Sequence, residues 1–190
     1  ITQHTTGTDN VKSLANLAML CGHIGMPGGG VNPLRGQNNV QGACDMGGLP
    51  NVYPAYQPVT SEEVQAKFQK AWGATSGLKV GAVVTEMMPG ILEGKTHALY
   101  ILGEDPIMSD PDTHHIRKAL DAIDFFVLQE IFPSETSAYA DILLPGVTFA
   151  EKTGSFTNTD RAVPLGCAAL PLPGQARQDL WILTALAQQP

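Results

Sequence analysis

The sequence is short of cysteine, of aromatic residues and of positive charge, and each shortage removes a class of protein. Its three cysteines, Cys21, Cys44 and Cys167, stand far apart and form no CxxC pair or Cys/His cluster, so a metal site built within the chain is not expected. A low and odd count fits a reducing compartment, with the cytoplasm the expected location, and each cysteine is expected as a small buried hydrophobe. Eleven Lys and Arg against 18 Asp and Glu leave a net charge of -7, which argues against nucleic acid as a partner, because phosphate binding needs clustered cations. No apolar run approaches the roughly 18 residues of a spanning helix, so direct membrane insertion is not expected. The fingerprint GxGxxG is absent as well, which leaves ordinary NAD binding unsupported. Small ligands and other proteins remain.

What is present is a chain of 190 residues, 43% hydrophobic and 15% charged, enough to bury one good core. It begins at Ile1 without an initiator Met and ends in Ala187-Gln188-Gln189-Pro190 directly after a helical pattern. The expectation is an internal piece of a longer polypeptide.

The segment Arg35-Gly36-Gln37-Asn38-Asn39-Val40-Gln41-Gly42-Ala43-Cys44-Asp45-Met46-Gly47 gathers polar groups around one formal cation. Arg35 presents a planar fork that can hold a small carboxylate or a phosphate through two parallel hydrogen bonds. Gln37, Asn38, Asn39 and Gln41 each carry a donor and an acceptor. Gly36, Gly42 and Gly47 permit tight bends or a close approach of backbone to ligand. A turn-rich surface loop shares much of this composition, but four carboxamides crowded beside Val40 and Ala43 favour a segment that reads a polar ligand.

Thr8 or Asp9 can cap a helix running to about His23, with Val11, Leu14, Ala15, Leu17, Ala18 and Cys21 near one face and Gly22 and Gly25 to stop it. From Pro27 to Pro58 the chain is dense in Pro and Gly and shows almost no helical or strand period; long ordered segments of this kind are more often functional than idle. A capping box at Thr60 or Ser61, with Glu62 or Glu63, opens a helix carrying Val64, Phe68, Ala71 and Trp72. A helix over 83–93 is weakened or kinked at Pro89 and Gly90. Strands follow at Ala98-Leu99-Tyr100-Ile101-Leu102, Phe125-Phe126-Val127-Leu128 and Ile142-Leu143-Leu144, separated by helices over 112–122, with Ile116, Ala119 and Leu120 inward, and over 134–140. That alternation predicts a parallel sheet with right-handed crossovers. Residues 151–161 read as an exposed hairpin or loop, and 178–188 as a closing helix with Leu180, Leu183, Thr184 and Ala187 on one side. His114 and His115 read as ordinary helix-surface residues, since nothing nearby completes a site.

Ligands of open α/β sheets lie beyond the carboxyl ends of the strands. Those ends carry Gly103-Glu104-Asp105-Pro106, Gln129-Glu130 and Pro145-Gly146. Turn formers alone explain any one of them; the three together favour a shared nucleotide site, with Asp105 and Glu130 placed to accept hydrogen bonds from ribose hydroxyls or a guanine edge.

The run Gly30-Val31-Asn32-Pro33-Leu34 leading into Arg35 to Gly47 resembles the signature of the α subunits of metal-dependent formate dehydrogenases, which belong to the molybdopterin oxidoreductases. The order of the other pieces is similar: Ile1-Thr2-Gln3-His4, Gly22-His23-Ile24-Gly25, Gly103 to Pro106, Gln129-Glu130-Ile131-Phe132, Ala140 to Pro145, and 151–161. The resemblance spans about the first 165 residues; the Arg35 motif is specific to formate dehydrogenases and the later motifs to the wider superfamily. It implies an α/β fold with a three-layer, mostly parallel Rossmann-like sheet and helices on both faces. It implies bis(molybdopterin guanine dinucleotide) with molybdenum or tungsten, and oxidation of formate to carbon dioxide or the reverse. By the same match Arg35 orients formate, Gln3, Arg35 and Gln37 lie beside the cofactor, and Gly103, Glu104, Asp105, Ser109, Gln129, Glu130 and Gly146 serve one dinucleotide arm. Glu130 stands where a relative has Asp and Gly146 where it has Ser, which lengthens one reach and removes one hydroxyl.

The implied division is 1–58, a helix with the cofactor and substrate loop; 59–146, the guanine-dinucleotide segment; and 147–190, a polar hairpin or loop with the closing helix. The chain holds no four-cysteine iron–sulfur motif and no cysteine or selenocysteine, followed by His, recognisable as the metal ligand. These, with an iron–sulfur cluster, are expected in the remainder of the α subunit, and iron–sulfur electron-transfer subunits are expected partners. The piece alone should not catalyse. A non-catalytic electron-transfer or structural subunit of the same superfamily, like the large iron–sulfur subunit of NADH dehydrogenase, is the alternative, and the intact Arg35-Gly36-Gln37 disfavours it. A free-standing nucleotide-binding module leaves Pro27 to Pro58 unexplained.

Overall fold

The computed structural model describes residues 2, 4–73, 79–158, 160 and 162–189. Its centre is a parallel sheet of β3 (Ala98–Leu102), β4 (Phe125–Glu130) and β5 (Ile142–Pro145) in that order, with Tyr100 beside Val127 and Leu128 beside Leu143. Side chains alternate along each strand. Phe126 and Leu128, fully buried, meet Met88 and Ile91 of α4 (Val84–Leu92), Ile107 of α5 (Pro106–Ser109), and Ile116, Ala119 and Leu120 of α6 (Thr113–Ala122). Burying each large apolar side chain there stabilises the fold by about 1.5–3 kcal/mol. The opposite face carries Tyr100, Leu102, Phe125 and Ile142 in exposed positions, so among the described residues the helices α4 to α6 cover one face of the sheet.

The inward triplet of α6 falls as the spacing predicts, and Asp112 starts the helix from the left-handed region at φ 59 while its carboxylate accepts from the His115 N–H at 3.2 Å. Pro89 lies inside α4 without ending it. Ser61 caps α3 (Glu62–Trp72), its hydroxyl accepting from the Val64 N–H. Phe68 of α3 joins Val59 and Tyr53 of β1 (Val52–Tyr53) in a second small core, where the Tyr53 and Phe68 rings stack with centroids 4.5 Å apart. β1 pairs antiparallel with β2 (Gln57–Pro58).

Several expectations are corrected. α1 spans Gly7–Leu20 with Thr6 at its cap, so Thr8 and Asp9 sit within its first turn; Gly7 packs so tightly on Thr2 that a Cβ would overlap the Thr2 carbonyl. Gly22 and Gly25 do turn the chain, at φ 69 and 78, but Val11, Leu14 and Leu17 are exposed, so those side chains of α1 have little cover among the described residues. The segment 27–58 is less irregular than its composition suggests, since it contains α2 (Val40–Asp45) as well as β1 and β2. Residues 136–139 form a single 3-10 turn. Gly154–Ser155 (β6) pairs with Leu165–Gly166 (β7), giving the polar stretch a hairpin form. α7 (Asp179–Ala187) buries Ile182, while Leu180 and Leu183 face out. Cys44 is buried as expected, but Cys21 and Cys167 are exposed, and all are free thiols.

Candidate functional site at the carboxyl ends of the strands

Gly103 ends β3 with φ 67, and its N–H donates to the Gln129 carbonyl at 2.9 Å, which ties the ends of β3 and β4 together. The turn that follows leads into α5 and opens a cavity of about 530 Å³ lined by Leu102, Gly103, Glu104, Asp105, Met108 and Ser109, and, from the distant Arg35 segment, by Gln37. Glu104 and Ser109 are exposed to it. The Ser109 hydroxyl lies 3.3 Å from a Glu104 oxygen and 3.2 Å from an Asp110 oxygen. Asp105 is anchored from behind, because one of its oxygens accepts from the hydroxyl of the wholly buried Thr136, whose own oxygen accepts from the Ile107 N–H at 3.3 Å. The wall is thus rich in acceptors and, among the described residues, free of Lys and Arg. Such a wall suits the donor-rich edge of a guanine or the hydroxyls of a ribose better than a bare phosphate.

Gln129 and Glu130, although next in sequence, point to opposite faces of the sheet. Gln129 is 1% exposed and engages both ends of its carboxamide: the Tyr100 hydroxyl donates to its oxygen at 2.5 Å and its nitrogen donates to Asp179 Oδ1 at 2.8 Å. Asp179 also receives the Lys152 ammonium at 2.5 Å. Burial, then the Asp179 charge, pushes the Tyr100 phenol above its ordinary value. Glu130 lines a separate cavity of about 180 Å³ and accepts from the Ile131 N–H at 2.6 Å. Gly146 is buried, its N–H donating to the Glu130 carbonyl, and a Cβ on it would stand 3.4 Å from Asp179 Oδ1. Sequence reasoning missed Tyr100, Lys152 and Asp179, since nothing local signals a network joining positions 50 residues apart.

Arg35 is exposed, and its Nη1 reaches the Cys44 sulfur at 3.8 Å. Among the described residues no carboxylate pairs with it. Gln3 lies outside the described residues. No group of three or more His, Cys, Asp or Glu able to hold a metal occurs among the described residues, and no described helix is long and apolar enough to cross a membrane.

The molybdopterin oxidoreductase family model matches residues 1–189. The chain belongs to the molybdopterin oxidoreductase family. It is 48% identical over 189 residues to the F420-dependent formate dehydrogenase 1 subunit alpha of Methanococcus maripaludis, a match over 100% of this chain and 28% of that relative. It is 50% identical over 190 residues to the F420-dependent formate dehydrogenase subunit alpha of Methanocaldococcus jannaschii, again 100% and 28%. Formate dehydrogenase H of Escherichia coli is 40% identical over 188 residues, 98% of this chain and 26% of that protein. The chain spans little more than a quarter of the length of these curated relatives.

The family implies a molybdopterin cofactor. The acceptor-lined cavity, with the glycine turn of Gly103 at its base and the carboxamide of Gln37 at its rim, fits the polar part of such a group.

Proposed function

We propose that the chain is part of the catalytic subunit of a formate dehydrogenase, and that Arg35 binds the carboxylate of formate. The observation that carries this reading is the position of Gln37. Two residues beyond an exposed guanidinium that meets no carboxylate among the described residues, it lines the same cavity as Gly103, Glu104, Asp105 and Ser109, which supports a place for the Arg35 segment near the carboxyl end of β3. A planar guanidinium can hold both oxygens of a small carboxylate at once and leave its C–H bond directed away.

In this reading the cofactor is bis(molybdopterin guanine dinucleotide) with molybdenum or tungsten; when bound, it supplies the metal that accepts the electron pair released as formate becomes carbon dioxide. Glu104, Asp105 and Ser109 hold hydroxyls or a guanine edge. Gln3 and Gln37 lie beside the cofactor, Gln37 at the cavity of Glu104 and Asp105. Gln129, whose carboxamide is already engaged, contributes by holding the strand end; Glu130 lines a separate cavity and Gly146 is buried, so any part these two take in binding is played away from the cavity of Glu104 and Asp105. Residues 1–58, 59–146 and 147–190 act as loop, nucleotide and closing segments. The remainder of the subunit supplies the metal ligand, an iron–sulfur cluster and the helices that complete a three-layer sheet, and iron–sulfur subunits carry the electrons away in the cytoplasm. A purely structural or electron-transfer subunit has no use for an exposed guanidinium at this place that, among the described residues, meets no carboxylate.

Arg35→Lys in the complete subunit is expected to reduce formate turnover by on the order of a hundredfold, since a point charge cannot fix both oxygens, while molybdopterin content stays unchanged. Turnover at the wild-type rate would falsify the clamp.

A further inference from the structure

The carboxamides of the Arg35 segment are not all turned toward a ligand. Asn39 adopts φ 58, a left-handed conformation that asparagine tolerates better than most residues. From there its side chain spans to the β6–β7 hairpin, more than 110 residues away in sequence: Nδ2 donates to the Ser155 carbonyl at 3.1 Å, and Oδ1 accepts from the Thr157 N–H at 2.9 Å. One carboxamide thus takes the place of a neighbouring strand for two backbone groups. Gly42, one turn on, has no room for a side chain, because a Cβ would overlap the Asn39 carboxamide. Gln41 braces the same helix by donating to Asp45 at 2.8 Å and to the Tyr56 hydroxyl at 3.2 Å. At its far end α2 carries the buried Cys44, on whose sulfur the Arg35 guanidinium rests.

We propose that Asn39 is a positioning residue for Arg35, coupling the β6–β7 hairpin through α2 to the substrate guanidinium, and that Gly42 is required to leave the Asn39 side chain free to make this bridge. The inference rests on the reading of Arg35 as the formate clamp. The hairpin gains a function by it: its backbone is the fixed frame against which the clamp is aligned.

The test uses the complete subunit with its cofactor. Asn39→Gly keeps the left-handed backbone and removes both hydrogen bonds, so it separates the bridge from backbone strain. It is expected to raise KM for formate roughly tenfold to a hundredfold with kcat much less affected, to leave molybdopterin content unchanged, and to speed amide exchange at Thr157. Gly42→Ala alone is expected to produce the same KM rise, because it displaces Asn39, and to produce none in the Asn39→Gly background, where nothing remains to be displaced. An unchanged KM, an unchanged Thr157 exchange rate, or additive effects of the two substitutions overturns the proposal. An unchanged KM alongside an impaired Arg35→Lys places the failure in the bridge alone. Wild-type turnover in Arg35→Lys places it in the clamp and overturns both.

Discussion

At the scale of single residues, the local chemistry turns on which polar groups are left free. Asn39, Gln41 and Gln129 all carry carboxamides, and all three are engaged within the protein; Arg35 meets no stronger acceptor than a sulfur among the described residues. The distinction is one of geometry, since a carboxamide held by partners within the protein is fixed in place and has fewer groups left for a ligand, whereas a guanidinium whose acceptor is a thiol sulfur keeps most of its donors for one. Tyr100 offers a residue-scale prediction. Burial and the Asp179 charge disfavour its phenolate, so its folded value lies above the ordinary 10.0. The preference of the fold for the neutral phenol is fully present below pH 10.0 and is lost as pH rises through the higher folded value. Ultraviolet titration of the complete subunit, compared with Tyr100→Phe, is expected to show the missing transition above 10.0; a transition at or below that value would mean that Asp179 and burial do not act on this hydroxyl.

At the scale of elements, the α/β centre was legible because β3, β4, β5 and α6 are each made of enough residues to display a period. Ala98 to Leu102 is an apolar run ended by glycine, and the Ile116, Ala119, Leu120 stripe repeats at helical spacing. α2 was not legible, because six residues are too few for a stripe and its start depends on the left-handed Asn39 rather than on a capping side chain. The buried side of α7 was not legible for a related reason: the helix is apolar nearly all round, so the side that packs is chosen by its neighbours, not by its pattern. α6 supplies the test at this scale. Asp112 both caps the helix and holds φ 59, so Asp112→Ala is expected to cost about 1 kcal/mol more than Asp112→Gly, which relieves the backbone while losing the same cap. Thermal unfolding midpoints of the two variants in the complete subunit decide it, and equal midpoints would assign Asp112 no backbone role.

At the scale of the whole molecule, the chain exposes 13464 Å², against about 8,700 Å² for a folded monomer of this size. The excess lies partly on apolar faces: Leu14 and Leu17 of α1, Tyr100, Phe125 and Ile142 on the second face of the sheet, and Trp181 of α7. Parallel sheets are normally covered on both sides. The 190-residue chain produced alone is therefore expected to bind a hydrophobic dye such as ANS strongly, and the complete subunit to bind it weakly. Weak binding by the isolated chain would show that these faces close on themselves.

The sequence by itself determined the parallel α/β centre, the inward residues of α6, the polar strand ends and the unusual character of the Arg35 segment, because each is written in neighbouring residues through period, turn chemistry or composition. Only the tertiary structure decided which of these groups meet. Gln37 lines one cavity with Glu104 and Asp105, Asn39 bonds to Ser155 and Thr157, and Gln129 bonds to Tyr100 and Asp179. These associations span tens of residues and arise from how the chain closes on itself, and contacts formed at that distance leave no period in the sequence to be read.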